Sequence, residues 1–418
     1  MAPRRARPAS GALKPHFSLT LALVRKALLR FGRVAGAAFA LRGGLALLAA
    51  LLTRATAPNR ALASLRGLVG VLAPAARLGL ALGGYSAATS LAAASTKSLA
   101  VQAATAGVTA ATALTAFDQE TRVSAMLYLG VRVAQAGYNA LACVEEEESH
   151  PPAGQPEAEG SAMGGSLLFA LASAQVMFAA LVYPSSLPRS YYAFIRRTQP
   201  IATPILEAVR ANLWSTDVDA GAVLAYVADS GGDLDDLARA SKLLSDPLPC
   251  GIPCELLHPE RPQCSVQFAH TAFKAAKRAL PLYGGLNLVA LLFRYKKLMA
   301  APGATLWRTV KSVVRSTAFL TGFVSLFMAA VCTHRRLGLA DSGATYFLSG
   351  LICSAAILIE APSRRTELAL YVLPRAVSSA FWILVRHGWL RAFPRGEIAL
   401  FGGVMATLHA DAAGRGSL

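Results

Sequence analysis

Cys250, Cys254, His258 and Cys264 carry side chains that bind metal, and they fall in one short stretch with the spacing C-x3-C-x3-H-x5-C. Zinc in structural sites takes four Cys or His ligands at the corners of a tetrahedron, and four are present. On a helix, positions 250, 254 and 258 would share a face. Pro249, Gly251, Pro253 and Pro259 forbid that helix, so the stretch is expected as a loop. The spacing is not that of a zinc finger. Three readings stand open: a zinc site, a disulfide between two of the thiols, or loop packing. No catalytic residue is expected anywhere. The chain shows no phosphate-binding loop, no dinucleotide fingerprint and no Ser-His-Asp signature, and no carboxylate or histidine pair sits at catalytic spacing on an apolar run. The expectation is a protein without enzymatic activity and without a cofactor other than the zinc this cluster would take.

A second group is cationic. Arg42, Arg132 and Arg375 lie inside apolar runs. Arg132 and Arg375 each sit near the middle of one, 123–142 and 366–385, too deep for the side chain to reach headgroups by snorkelling. Leaving an arginine in lipid costs at least about 2.5 kcal/mol, so such residues face a polar interior or cavity. The expectation is a shared interior between two halves of the molecule, where an anionic headgroup or solute pairs with Arg132 and Arg375. Arg42 either joins them or ends a shorter span beside Gly43-Gly44. Glu360, with Ser363-Arg364-Arg365, and Asp118 and Glu120, before Arg122, read as interfacial charges making local pairs. Glu145–Glu148 reads as a solvated loop, and the acidic run from Asp233 as the first turn of a helix continuing to Leu244.

The elements that must hold these residues are membrane helices. Of 418 residues, 54% are hydrophobic and only 15% charged, with a mean hydropathy of +0.45. The net charge of +18 is unevenly spread: 16 of the 23 acids lie between residues 143 and 265, and none precedes Asp118. Bases occur in ones to threes between apolar runs, as in loops flanking spans, which makes anionic lipid headgroups the expected partner and argues against nucleic acid. Apolar runs of membrane length or somewhat less fall at about 34–53, 78–95, 99–117, 123–142 and 164–183, then at 279–293, 314–333, 343–360, 366–385 and 397–410. The small residues crowding them suit close helix packing in lipid.

The two series resemble one another. Arg25-Lys26-Ala27-Leu28 followed by Phe31-Gly32 matches Lys277-Arg278-Ala279-Leu280 followed by Tyr283-Gly284. Arg122, Tyr128, Arg132 and Tyr138 match Arg365, Tyr371, Arg375 and Phe381 at a constant offset of 243, and Gly84-Tyr85 pairs with Gly322-Phe323. The expected fold is therefore all-α and polytopic, with two tandem repeats of four to five helices. A basic tail at 1–17 precedes repeat 1 at 18–183. A mostly helical polar segment with the Cys/His cluster follows at 184–265, then repeat 2 at 266–410 and a tail at 411–418.

Three passages in the second half resemble the transmembrane protein 135 family: Cys254…His258-Pro259…Cys264, Lys277-Arg278-Ala279-Leu280-Pro281-Leu282-Tyr283, and Leu291-Leu292-Phe293-Arg294-Tyr295-Lys296-Lys297-Leu298. So do Ser316-Thr317-Ala318-Phe319-Leu320, Ile359-Glu360 with Ser363-Arg364-Arg365, and Gly396-Glu397. The resemblance implies a Gly-rich helical-hairpin fold, similar to the inner-mitochondrial-membrane translocase superfamily, which includes a peroxisomal membrane protein. It also implies a multi-pass peroxisomal or mitochondrial protein that supports lipid homeostasis and organelle maintenance, with room for protein partners at that membrane. The repeats and buried arginines favour a different reading, a transporter or channel with its pathway between the copies.

Overall fold

A computed structural model describes residues 23–40, 42–44, 65–148, 157–199, 201–230, 234–245, 251–259, 261 and 263–415, and every element among them is helical. The helices group into two compact units, one of residues 1–145 with 392–418 and the other of residues 146–391. These units divide the chain at different points from the sequence copies.

The first unit contains α1 (23–40), α2 (Leu65–Ser95), α3 (Leu99–Leu114), α4 (Gln119–Glu148) and the C-terminal α16 (Gly396–Arg415). Glycine sets the helix spacing. A Cβ on Gly79 would stand 2.7 Å from the Ala35 carbonyl oxygen, and one on Gly83 2.9 Å from Ala35 Cβ, so α1 lies directly on the α2 backbone. A Cβ on Gly107 would stand 2.7 Å from the Gly402 carbonyl oxygen, which brings α3 and α16 equally close. Asp118 caps α4, its carboxylate accepting from the Thr121 backbone N–H (3.0 Å) and hydroxyl (2.8 Å). Arg122 pairs with Glu397 across α4 and α16 at 2.9 Å. The glutamate run departs from expectation. Glu145–Glu148 forms the last turn of α4 rather than a loop, because glutamate is a good helix former and nothing before it stops the helix.

The second unit is built on three long helices, α5 (Glu157–Val182), α13 (Pro302–Arg336) and α15 (Pro362–Arg386). Proline in the first turn starts α13 and α15, where its missing N–H costs nothing, and His334, Arg335 and Arg336 end α13 with charge that complements the helix dipole. α5 runs along α15 and α14 (Gly343–Ser354), and α11 (Cys264–Phe293) runs along α13. A capping box between Ser342 and Thr345 begins α14.

Segment 184–265 is mostly helical, as expected: α6 (Arg189–Thr198), α7 (Thr203–Leu213), α8 (Ala220–Asp229), α9 (Leu234–Ser245) and the single turn α10 (Cys254–Leu257). α9 matches the helix read from Asp233 to Leu244. The segment folds against α13 through one apolar core, in which Ile205, Val209, Val223, Val227 and Ile252 meet Phe327, Met328 and Val331. Arg210 of α7 donates to the carbonyls of Ala180 (2.8 Å) and Leu181 (2.9 Å), satisfying the open end of α5.

Among the described residues, three helices are long and apolar enough to cross a membrane, within Met163–Val182, Pro302–Arg336 and Pro362–Arg386. The sequence reading of ten apolar runs is cut down for physical reasons. α3 and α14 are too short, α14 giving way to a 3-10 turn at Ala355–Ile359, and half of the 34–53 run lies outside the described residues. Leu280, Leu286, Leu288 and Val289 of α11, and Leu306, Trp307, Val310 and Val314 of α13, are exposed. Such a surface belongs in lipid. The chain is a helical membrane protein.

The buried positions of α3 and of α14 with its following turn match in spacing. α3 buries Ala106, Gly107, Ala110 and Leu114, while Ser349, Gly350, Cys353 and Ile357 are buried in α14 and the turn after it. Each pair is 243 positions apart, the offset that relates Arg132 to Arg375. Gly350 plays the part of Gly107: a Cβ on it would stand 2.6 Å from the Cα of Ala174 in α5.

Candidate metal centre

Cys254, His258, Cys264 and Cys332 converge, with their four ligand atoms all within 4.8 Å of one another. Each is placed by a helix end. Cys254 opens α10 behind Pro253, His258 closes it at φ −143° and ψ 68°, and Cys264 opens α11. Cys332 lies in the last turns of α13. His258 Nε2 is 3.6 Å from Cys264 Sγ and 3.8 Å from Cys332 Sγ. With Zn–S near 2.3 Å and Zn–N near 2.0 Å, a tetrahedron has N···S edges of roughly 3.5 Å, so these separations fit zinc.

The imidazole is oriented for that role. His258 Nδ1–H donates to the Arg261 carbonyl oxygen at 2.6 Å, which fixes the tautomer and leaves the Nε2 lone pair facing the three sulfurs. The ring is 3% exposed. The Cys254 thiol is held well below its ordinary pKa, first by the hydrogen bond from Cys332 and then by those of His258 and Cys264, against a burial effect that raises it. Burial alone would lower the pKa of His258. Its bonds to Cys254 and the Arg261 carbonyl outweigh that and hold it above the ordinary value. A thiolate is thus already favoured, and metal binding would displace the imidazole's extra proton.

A buried charge cluster props the loop that delivers Cys254. The Asp341 carboxylate, fully buried, accepts from Arg335 (3.2 Å), the Tyr346 hydroxyl (2.7 Å) and the Ile252 backbone N–H (3.3 Å). Gly251 beside it has φ +140°, and a Cβ there would stand 2.5 Å from Asp341 Oδ2. Only glycine fits both the backbone angle and the space.

The convergent set adds one member to the sequence reading. Cys254, His258 and Cys264 come together as expected, Cys250 lies outside the described residues, and Cys332 supplies the fourth donor. Sequence reasoning missed Cys332 because it lies on a spanning helix far along the chain. The available signal was a thiol two residues before His334-Arg335-Arg336, where an apolar run meets the interface. Cys254, Cys264 and Cys332 carry free thiols.

The arginines are placed separately. Arg132 lies 5.6 Å from the Tyr128 ring centre and donates to Gln135 Oε1 at 3.2 Å. Arg375 repeats that arrangement one turn after Tyr371, at 5.3 Å, and also faces Tyr191 at 5.7 Å. Arg42 is exposed. Glu360 makes the local pair expected of it, with Arg364 at 3.6 Å, and accepts from Ser316 at 2.6 Å. Arg122 reaches Glu397 and also donates to the neighbouring Phe117 carbonyl at 2.8 Å.

No solved structure matches the chain. Residues 251–385 match the family described as the N-terminal cysteine-rich region of Transmembrane protein 135. That stretch opens at Gly251 and contains all four convergent ligands, the Asp341 cluster, α13, α14 and nearly all of α15. The match falls on the residues that build the candidate centre, and over residues 251–385 the chain is similar to the transmembrane protein 135 family.

Proposed function

We propose that this chain is a non-enzymatic integral membrane protein of the peroxisome or mitochondrion that supports lipid homeostasis and organelle maintenance, with a structural zinc ion tying its polar segment to a membrane helix. The observation that carries the reading is the closed ligand set. Cys254, His258, Cys264 and Cys332 fill all four positions of a tetrahedral ion, so no position remains for water or substrate, as in structural rather than catalytic zinc sites. The ion would join α10 and the start of α11 to the end of α13. The similarity of residues 251–385 to the transmembrane protein 135 family supports the organelle and lipid parts of the reading. The test is a tagged chain in a deletion background. Co-localisation with peroxisomal or mitochondrial markers, together with altered organelle number and lipid content on deletion, is the expected result. A chain confined to the plasma membrane would overturn it.

The matched registers of α3 and α14, and the equivalent tyrosine–arginine pairs, support tandem duplication and so favour a second reading, a secondary transporter or channel. Flux of a defined solute into liposomes holding the purified protein would select that reading over the first.

A further inference from the structure

Beside the metal centre, and separate from it, the second unit encloses a cavity of about 620 Å³ between α5, α6, α11, α13 and α15. Its wall is a cage of apolar side chains, among them Phe169, Phe319, Phe323, Phe327, Leu282 and Leu286. The three nearest rings pack edge-on, Phe169 5.7 Å from Phe319 and 6.2 Å from Phe323, which stiffens that side.

Into this apolar space comes one cation without a carboxylate partner among the described residues. Arg375 stands between the faces of Tyr371 and Tyr191, and among the described residues no carboxylate pairs with it. Its buried Nε has no hydrogen-bond partner, and neither has Nε2 of Gln199, which also lines the cavity. Two tyrosine faces hold a guanidinium in place but do not neutralise it. A cation at mid-helix in a spanning segment needs a counter-charge, and here the space beside it is apolar. Arg364, the other cation on the lining, is already paired with Glu360.

The polar approach is basic. A second cavity of about 720 Å³ is lined by Arg196, Arg197, Lys274 and Arg278, and shares Phe194, Thr198, Gln199, Leu282 and Leu320 with the first. Arg278 donates to the carbonyls of Arg197 (3.0 Å) and Gln199 (3.3 Å), joining α11 to the end of α6. Four positive charges around one opening raise the local concentration of anions.

We infer that the cavity binds a single-chain acyl carboxylate, with the chain among the phenylalanines and the carboxylate on Arg375 and Gln199. The volume lies in the range of small-ligand sites and suits one chain, not the two of a diacyl phospholipid. One unpaired arginine with a free Nε suits one carboxylate, and the basic opening draws it in. This inference rests on the reading of the chain as a lipid-handling protein and gives that reading a ligand class.

The test uses the purified full-length protein in detergent micelles and a long-chain fatty acid carrying a photoreactive diazirine and an alkyne. Labelling is expected on peptides of α11 and α13. Unlabelled fatty acid should compete at least about tenfold better than its methyl ester, which keeps the chain and loses the charge. Arg375→Gln should weaken labelling by a similar factor, and Phe323→Trp should abolish it by filling the space while leaving Arg375 intact. The ester comparison needs no variant, so it decides the matter even where a substitution fails to fold. Equal competition by acid and ester overturns the inference, as does wild-type labelling of a folded Arg375→Gln. A lysophospholipid that outcompetes the fatty acid assigns the anion to a phosphate headgroup and overturns the carboxylate. These outcomes are separate from localisation and deletion phenotype: binding without a lipid phenotype sinks the lipid-homeostasis reading alone, and the phenotype without binding sinks the cavity alone.

Discussion

At the scale of single residues, the candidate metal centre separates what adjacency in sequence reveals from what folding adds. Cys254, His258 and Cys264 were legible because ligand-type residues fall close together, and the stretch expected as a loop instead keeps one helical turn, α10, between Pro253 and Pro259. Cys332 was not, since a thiol on an apolar helix reads as packing until another element meets it. The two sets predict different mutants. Purified protein should hold about one zinc per chain by elemental analysis. Cys332→Ser should lose it, whereas Cys250→Ser should keep it. The reverse pattern would restore the contiguous set. Asp341 gives a second prediction. Removing one partner of a buried ion pair leaves the other charge uncompensated, so Asp341→Asn should destabilise the second unit by roughly 3–5 kcal/mol, read as a drop in thermal midpoint. Burial alone would raise this carboxyl's pKa, but the His334 hydrogen bond and the Arg335 charge outweigh it and hold it below the ordinary value. Its stabilising contribution is therefore fully present above about pH 4 and drains away as the pH falls through the lower folded-state value. A thermal midpoint that is flat from pH 5 down to pH 2.5 would contradict this.

At the scale of helices, the sequence announced composition better than length. The all-α class and the helical nature of 184–265 followed from apolar runs and breakers. The number of spans did not, because alanine contributes little hydropathy and the Ser, Thr and Gly between leucines dilute it further. Those small residues have another use. Gly107 and Gly350 let α3 and α14 touch the backbones of α16 and α5. Substituting alanine at either position should cost about 1–3 kcal/mol, because the atoms it would meet are main chain and cannot step aside. Gly84→Ala, where nothing lies within 4 Å, should be neutral or slightly stabilising. Thermal melts of the three variants in one detergent check this, and equal effects at all three would rule out glycine-mediated packing.

At the scale of the whole chain, the units follow a pattern that the two sequence copies alone did not suggest. The first unit takes its first four helices from the first half and its last, α16, from the C-terminal end. The second contains α5, which precedes the polar segment, together with α11, α13, α14 and α15. The sequence reading groups α5 with 18–183 and α16 with 266–410, whereas packing puts α5 in the second unit and α16 in the first, an exchange of one helix each way. Truncation after Arg391 should therefore leave the zinc content of the second unit unchanged while making residues 65–145 sensitive to protease. Protection equal to that of the full chain would show that α16 is dispensable. The exchange also bears on biogenesis. The ribosome finishes α3 long before it makes α16, so the glycine face around Gly107 must wait in an unfinished state while the whole second unit is synthesised and closes. A chain cut short by a premature stop would present that face permanently. Covering that one stripe of small residues thus joins a helix made early in synthesis to one made late.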